Sequence, residues 1–220
     1  MNRPIVLAIL VVSLTGACTP YAVTTTARPL ARGENMRTTT LTVVPAGAQF
    51  YADSADRKRA SVAMPGLDIE QRFGLDDRSD WGIRIPSMSG VIVSYKRRLD
   101  GPSARDGRAT ALMLGGGMVN LGQHAHVDVT LLTSGRESAS WIPYGGVRAL
   151  QVIPLSSIAV RDTPAVGAFG GVRTGGSDHG FSFELGVFYD ESALKLRRNT
   201  IIIVPSIAMH GGAFRRLLPW

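Results

Sequence analysis

The side chains best suited to metal chemistry lie in one short run, HAHVD at positions 124–128. Alternate residues of an extended chain share a face. His124, His126 and Asp128 would therefore lie side by side, where their nitrogen and oxygen atoms could bind a transition metal. The alternative, which we favour, is polar filling of an interior, with no metal ion and no cofactor. His179 and His210 are isolated in the sequence, and we expect both to be solvated.

Serine, histidine and acidic residues are all present, but no spacing matches a known hydrolase. A pair formed by Ser138 with His124 or His126 would depend entirely on assumed neighbouring strands. The run of glycines at 115–117 lies inside an apolar strand pattern rather than between a strand and a helix, which excludes a phosphate-binding loop and favours a bulge or close packing. We therefore predict no catalytic residues and no enzymatic activity. A membrane-embedded lipid hydrolase is the enzymatic alternative.

The single cysteine, Cys18, follows a short apolar segment near the amino terminus. Arg3, the apolar residues 4–12 and the small residues after them have the order of a secretory signal, and the apolar part is shorter than the ~20 residues that a spanning helix needs. The sequence LTGAC at 14–18 resembles the lipobox of bacterial lipoproteins, although Thr15 stands where leucine is usual. This resemblance implies cleavage before Cys18, with diacylglycerol on its thiol and a further acyl chain such as palmitate on its amino group. The alternative is an ordinary signal with an incidental cysteine.

The composition is that of a folded protein with many turns. Of the 220 residues, 45% are hydrophobic and 19% charged, with 25 glycines, which argues against disorder and favours β structure. The net charge is +7, but the basic residues are scattered and nearly all are arginine. Nucleic acid is therefore not an expected partner, since its binding needs a clustered basic surface.

Alternation with a period of two dominates the chain from Thr38 onward and predicts about ten strands. Runs such as HAHVDVTL at 124–131 and FSFELGV at 181–187 alternate polar and apolar side chains. The predicted fold class is all-β, an antiparallel up-and-down β-barrel preceded by a helical signal segment. The predicted divisions are a signal peptide (1–17), a lipidated tether (18–36), the barrel (37–212) and a carboxyl-terminal tail (213–220).

Alternation does not by itself decide which face lies outside. A soluble carrier barrel has an apolar interior, and an outer-membrane barrel has an apolar exterior. Strands of about ten residues suit a membrane. So do charges of both signs on the polar face, because they can form ion pairs in a narrow lumen. The predicted lumen charge network consists of Asp68, Glu70, Arg72, Arg84, Lys96, Arg98, Asp128, Arg148, Arg173 and Glu184.

Aromatic residues recur at one end of the apolar face. Phe73 ends one predicted strand, and Trp81, Trp141 and Phe181 begin others, so alternating strand directions bring all four to the same rim. Such a girdle is typical of the membrane interface. Because both termini would lie at this rim, we expect it to face the periplasm, together with the lipid anchor. The alternative for each aromatic is ordinary core packing.

The stretch from Leu67 to Gly101 contains RFGLDDRSDWGIRI and SGVIVSYKRRLDG, which look like a hairpin of bacterial outer-membrane β-barrel proteins. The remaining strands resemble that class only in style. Trp220 matches the terminal aromatic that such barrels often carry, but residues 215–219 before it do not alternate. The resemblance implies an architecture and no particular activity.

These observations lead to one interpretation with two alternatives. We expect a non-catalytic, lipid-anchored barrel in the outer membrane of a Gram-negative bacterium, with a structural, adhesive or partner-binding role. Outer-membrane lipid is the expected partner, and the basic loop at 191–198 could meet the phosphates of lipopolysaccharide unless it is simply solvated. No protein partner is evident. The alternatives are a lipid-anchored soluble periplasmic barrel carrying an apolar ligand, and the lipid hydrolase.

Overall fold

A computed structural model describes residues 20–44, 49–51, 64–101, 107–136, 140–155, 164–175, 179–190 and 200–211. The signal peptide, Cys18, Ser138, the basic loop at 191–198 and the tail at 213–220 lie outside these residues. No helix among the described residues is long and apolar enough to cross a membrane.

The described residues form ten long strands and one short strand. The number of long strands agrees with the prediction of about ten. The long strands are β1 (Asn35–Val44), β3 (Met64–Asp76), β4 (Ser79–Pro86), β5 (Val91–Arg98), β6 (Ala109–Val119), β7 (His124–Ser134), β8 (Trp141–Pro154), β9 (Ala165–Gly175), β10 (His179–Asp190) and β11 (Thr200–Gly211). The short strand, β2 (Gln49–Tyr51), was not predicted, because three residues are too few to show alternation.

The sheet closes on itself. Each long strand from β3 onward pairs antiparallel with the next, and β1 pairs with both β3 and β11. At the seam Thr38 is opposite His210 and Thr42 is opposite Ser206, and β2 continues the pairing of β11 through Phe50 and Ile201. The prediction of an antiparallel up-and-down β-barrel is confirmed. Closure leaves no long edge strand unpaired.

The two ends of the barrel differ in their connections. Rim A is the end at which β1 begins and β11 ends, and its connections are residues 77–78, 99–108, 135–140 and 176–178. Rim B is the opposite end, with connections at 45–63, 87–90, 120–123, 155–164 and 191–199. The tight turn of rim A at Asp77–Arg78 is held by Asp76, whose Oδ1 accepts the Arg78 N–H at 2.7 Å.

The alternation of the strands puts mostly apolar side chains outside, whereas the inside holds most of the charged side chains together with two apolar clusters. β10 is the clearest strand, with strict exposed–buried alternation from His179 to Asp190. Phe183, Leu185 and Val187 point outward. Glu184 and Ser182 on the same strand are buried. The polarity of the barrel is therefore the reverse of that of a soluble protein with an apolar core.

Residues 20–30 run through the interior as an extended segment without secondary structure, which we call the plug. Every residue of the plug is buried except Pro29, which is intermediate. This part of the chain was predicted to be a tether outside the barrel. That prediction is wrong for residues 20–30, because they lie inside the barrel and are bonded to its wall.

A β-turn at rim A links the plug to β1. The Glu34 N–H donates to the Ala31 carbonyl at 2.9 Å, and Gly33 supplies the φ of 83° that such a turn favours in glycine. Gly74 at the end of β3 packs directly against this turn. Its N–H donates to the Glu34 carbonyl at 2.9 Å. A Cβ on Gly74 would lie 1.9 Å from the Ala31 carbonyl oxygen.

Gly74→Ala is expected to displace this turn and to lower the free energy of unfolding by about 1–3 kcal/mol, because overpacking shifts the backbone. Gly101→Ala is the matched control, since nothing lies within 4 Å of a Cβ at Gly101. Its effect should stay within about 0.5 kcal/mol. Denaturant unfolding of both variants measures the difference. Equal stability of the two variants would show that the turn does not dock on Gly74.

Candidate functional site

The occupied lumen is the candidate site, because the charged side chains of the barrel converge there. The structure buries all ten residues of the predicted lumen network, with exposures of 9% or less. Some of these residues form two ion-pair clusters, some also bind the plug, and a few have partners near the rims.

The first cluster joins β3, β4 and β5. Arg72 bonds Glu70 at 2.6 Å and also pairs with Asp80. Arg84 reaches the second Glu70 oxygen at 3.0 Å, and Lys96 reaches Asp80 at 3.1 Å. Each carboxylate thus bridges two cations. Asp80 was missing from the predicted network, although its alternation with Gly82 and Arg84 could have revealed it.

The second cluster lies across β7 and β8. Asp128 accepts a hydrogen bond from His126 Nε2 at 2.9 Å and pairs with Arg148 at 3.2 Å. His124 instead lies near the rim B turn, with its Nδ1 3.3 Å from Asn120 Nδ2. His124 therefore does not join His126 and Asp128, and the candidate trio does not form one cluster. No group of three or more His, Cys, Asp or Glu residues in the described part of the chain is arranged to hold a metal ion.

The cations of the wall bind the carbonyl groups of the plug. Arg148 Nη1 donates to the Pro20, Tyr21 and Ala22 carbonyls at 2.6, 3.1 and 3.3 Å. Arg84 donates to the Ala22 and Val23 carbonyls at 2.7 and 3.3 Å.

Lys96 binds the second half of the plug. Its Nζ donates to the Thr26 and Arg28 carbonyls at 3.0 and 2.9 Å, and to the Thr25 hydroxyl at 3.3 Å.

The acids of the wall accept the N–H groups of the plug. Both oxygens of Glu184 are used, one by the Val23 N–H at 2.8 Å and the other by the Thr24 N–H at 2.6 Å. Asp80 accepts the Leu30 N–H at 3.0 Å. Buried backbone groups need such partners, and the plug has no neighbouring strand to provide them. Charged side chains of both signs take the place of the hydrogen bonds that a neighbouring strand would form.

Apolar contacts hold the plug between these bonds. Near rim B, Tyr21 belongs to a cluster with Phe188, Val119 and Ile202. Its ring centroid lies 5.2 Å from that of Phe188, and its hydroxyl bonds Asp190. Further along, Val23 and Ala27 pack in a second cluster that includes several small side chains of β6.

The remaining predicted lumen residues have other partners. Arg98 pairs with Asp100 at 3.1 Å near rim A. Arg173 Nη2 lies 3.4 Å from the Met36 sulfur. Asp68 accepts the Ser87 N–H at 3.2 Å near rim B. All three residues are buried.

His210 was expected to be solvated, and that expectation is wrong. The side chain is fully buried, with Nε2 2.6 Å from Ser182 Oγ and Nδ1 3.0 Å from Thr38 Oγ1. This pairing is the type of contact that a hydrolase would use. Its third member is a threonine rather than an acid, and all three side chains are buried. A substrate therefore has no access to the serine.

The glycines at 115–117 allow close packing inside β6. A Cβ on Gly115 would lie 2.3 Å from Asp128 Oδ2, and one on Gly117 would lie 2.0 Å from the Val91 carbonyl oxygen. The strand pairs through this run without interruption. Close packing rather than a bulge therefore explains these glycines.

The four predicted girdle aromatics lie near rim A and face outward. Phe73 and Trp81 stack across β3 and β4 with centroids 4.9 Å apart. Trp141 and Phe181 both lie opposite Thr174 from either side of β9, with exposures of 59% and 37%.

Comparison with known proteins gives a likeness of fold only. No protein-family model matches the chain, and no curated protein matches it. Among solved structures, Neisserial surface protein A aligns at 10% identity and a TM-score of 0.38, over 80% of this chain and 95% of that one. The outer membrane protein OprG from Pseudomonas aeruginosa aligns at 12% identity and a TM-score of 0.31, over 82% and 95% of the two chains. Likeness at these scores carries nothing about the lumen or the rims of this barrel.

Proposed function

We propose that this protein is a non-catalytic, lipid-anchored outer-membrane β-barrel whose lumen is closed by its own amino-terminal plug. Its structural, adhesive or partner-binding role is exercised at the rims, because the lumen is occupied. The observation that carries the proposal is the polarity of the barrel, with charges inside and apolar side chains outside.

The outward face has the composition of a lipid-facing surface. Val91, Val147 and Leu185 are each at least 50% exposed. Most charged residues of the same strands, among them Arg148 and Glu184, are buried, and Arg97 at the rim A end of β5 is the exposed exception. Exposed apolar side chains on every outward-facing stretch need a covering medium. We propose that this medium is the hydrocarbon of a bilayer, which the apolar outer band of membrane barrels contacts.

The interior does not suit the alternative of a soluble carrier of an apolar ligand. Ion pairs and the plug fill the middle of the barrel. The cavity left between Arg84, Asp128 and Arg148 measures about 10 Å³, which is about room for one water molecule. An apolar ligand of useful size would have to displace the plug and desolvate charges.

The connections of the barrel support an orientation. Outer-membrane barrels have short periplasmic turns and longer outer loops. The two-residue turn at 77–78 and the three-residue connection at 176–178 lie at rim A, whereas the longest connection, 45–63, lies at rim B. In the proposed orientation rim A faces the periplasm. Rim B and its loops face outward, where the basic loop could meet lipopolysaccharide.

Extraction tests the membrane assignment. We expect the Cys18→Ser variant to remain in the membrane fraction after high-salt and alkaline washes and to need detergent for release. The outward-facing apolar side chains of the strands hold the barrel in the bilayer whether or not a lipid is attached to Cys18. Release of the variant into buffer would contradict an embedded barrel and would favour a soluble one tethered only by lipid.

A charge placed on the lipid face should lower the stability of the barrel in the bilayer. Val147→Arg places a guanidinium on the lipid face and is expected to lower the free energy of unfolding in the bilayer by about 2–4 kcal/mol. Leu121→Arg is the matched control, because Leu121 is 81% exposed in a rim B turn and its replacement should cost about 0–1 kcal/mol. Denaturant titration in lipid vesicles measures both values. Equal costs would contradict a lipid-facing position for Val147.

A further inference from the structure

The plug has a direction, and that direction decides where the chain enters the barrel. Its first residues lie near rim B, where Tyr21 bonds Asp190, the last residue of β10. Tyr21 also packs near the ends of β6 and β10, with Val119 and Phe188. The amino-terminal end of the plug is therefore at the rim opposite the start of β1.

The middle and the end of the plug lie progressively nearer to rim A. Thr24 lies within 3.1 Å of Thr40, halfway along β1, through their hydroxyl oxygens. Leu30 bonds Asp80 at the beginning of β4. The Gly33 N–H then donates to the Gly74 carbonyl at the end of β3 at 3.3 Å. The eleven residues from Pro20 to Leu30 can extend over about 36 Å, which is enough to cross the ~25 Å apolar band of a membrane barrel.

We infer that the two ends of this chain segment lie on opposite sides of the membrane. Pro20 begins the plug at the rim B end, while β1 starts at rim A. This inference rests on the proposed membrane location. It replaces the sequence-based expectation that the lipid anchor shares a rim with the ends of the barrel.

The length of chain before the plug limits where the proposed lipid can be. Cys18 is two residues before Pro20, and two residues reach at most about 7 Å. A segment of two residues is too short to extend back to rim A. The acyl chains on Cys18 therefore enter the leaflet at rim B, which is the outer leaflet when rim A faces the periplasm.

Thiol labelling on intact cells tests this arrangement. The reagent is a maleimide attached to a polymer too large to cross the outer membrane. Three single substitutions are compared, namely Thr19→Cys, Asp77→Cys in the rim A turn and Gln123→Cys in the rim B turn. We expect Thr19→Cys and Gln123→Cys to label on intact cells, and Asp77→Cys to label only after the outer membrane is permeabilised.

Other outcomes separate this inference from the function on which it rests. If Thr19→Cys labels only under the conditions that label Asp77→Cys, while the Cys18→Ser variant still needs detergent for release, the inference alone is overturned. Identical labelling of all three variants, together with release of the Cys18→Ser variant by buffer, overturns the membrane location and the inference with it. The unsubstituted protein, with Cys18 as its single thiol, should stay unlabelled even after permeabilisation if that thiol is acylated.

Discussion

Deletion of Pro20–Leu30, with Thr19 joined to Ala31, is expected to convert a sealed barrel into one that conducts ions. The plug occupies the axis of the lumen, and the charges of Arg84, Arg148 and Glu184 are directed at its backbone. Without the plug these groups lose the backbone partners that they now bond, although Arg84 and Arg148 keep their ion pairs with Glu70 and Asp128. Buried charges that are short of hydrogen-bond partners draw in water, and a water-filled path lined by charges of both signs allows small ions to pass.

Recordings in planar bilayers measure this effect. We expect the intact protein to give no conductance steps and the deletion variant to give frequent ones. A synthetic peptide of residues 20–30 added to the deletion variant should reduce them, whereas a peptide of the same composition in scrambled order should reduce them less. A deletion variant that is folded yet silent would show that the wall closes the lumen without the plug.

Arg84→Met is expected to cause a large loss of stability. Arg84 pairs with Glu70 at 3.0 Å and donates to the carbonyls of Ala22 and Val23. Methionine fills similar space but leaves those acceptors with fewer donors. Breaking a buried ion pair by removing one partner costs about 3–5 kcal/mol.

The control for Arg84→Met is Arg97→Met, which removes the same charge from an exposed position on β5. A surface change of this kind should cost about 0.5 kcal/mol or less. Denaturant unfolding in detergent micelles compares the two variants. Equal midpoints would contradict a stabilising role for the lumen network and would reduce Arg84 to a space-filling side chain.

The strands could be predicted because their signal is local. Alternation with a period of two can be read within eight residues, and it gave the strand positions and the inward direction of charges such as Glu70 and Arg148. The same rule would have found Asp80. It failed for β2, which is too short, and for His210, whose isolation in the sequence hides its contacts with Ser182 and Thr38.

The plug could not be predicted in this way because its partners are distant in sequence. Thr24, Thr25 and Thr26 resemble a polar linker, and nothing near them shows periodicity. Their structure depends on Glu184 and Lys96, which are 160 and 71 residues away from the groups they bind.

The most direct test is amide hydrogen exchange of residues 21–30 in the intact protein reconstituted in lipid. The Val23, Thr24 and Leu30 amides should be protected as strongly as those in the centre of β10, because each is buried and bonded to a carboxylate of the wall. Exchange of these three amides at the rate of an unstructured peptide, with β10 still protected, would contradict a barrel closed by its own amino-terminal segment.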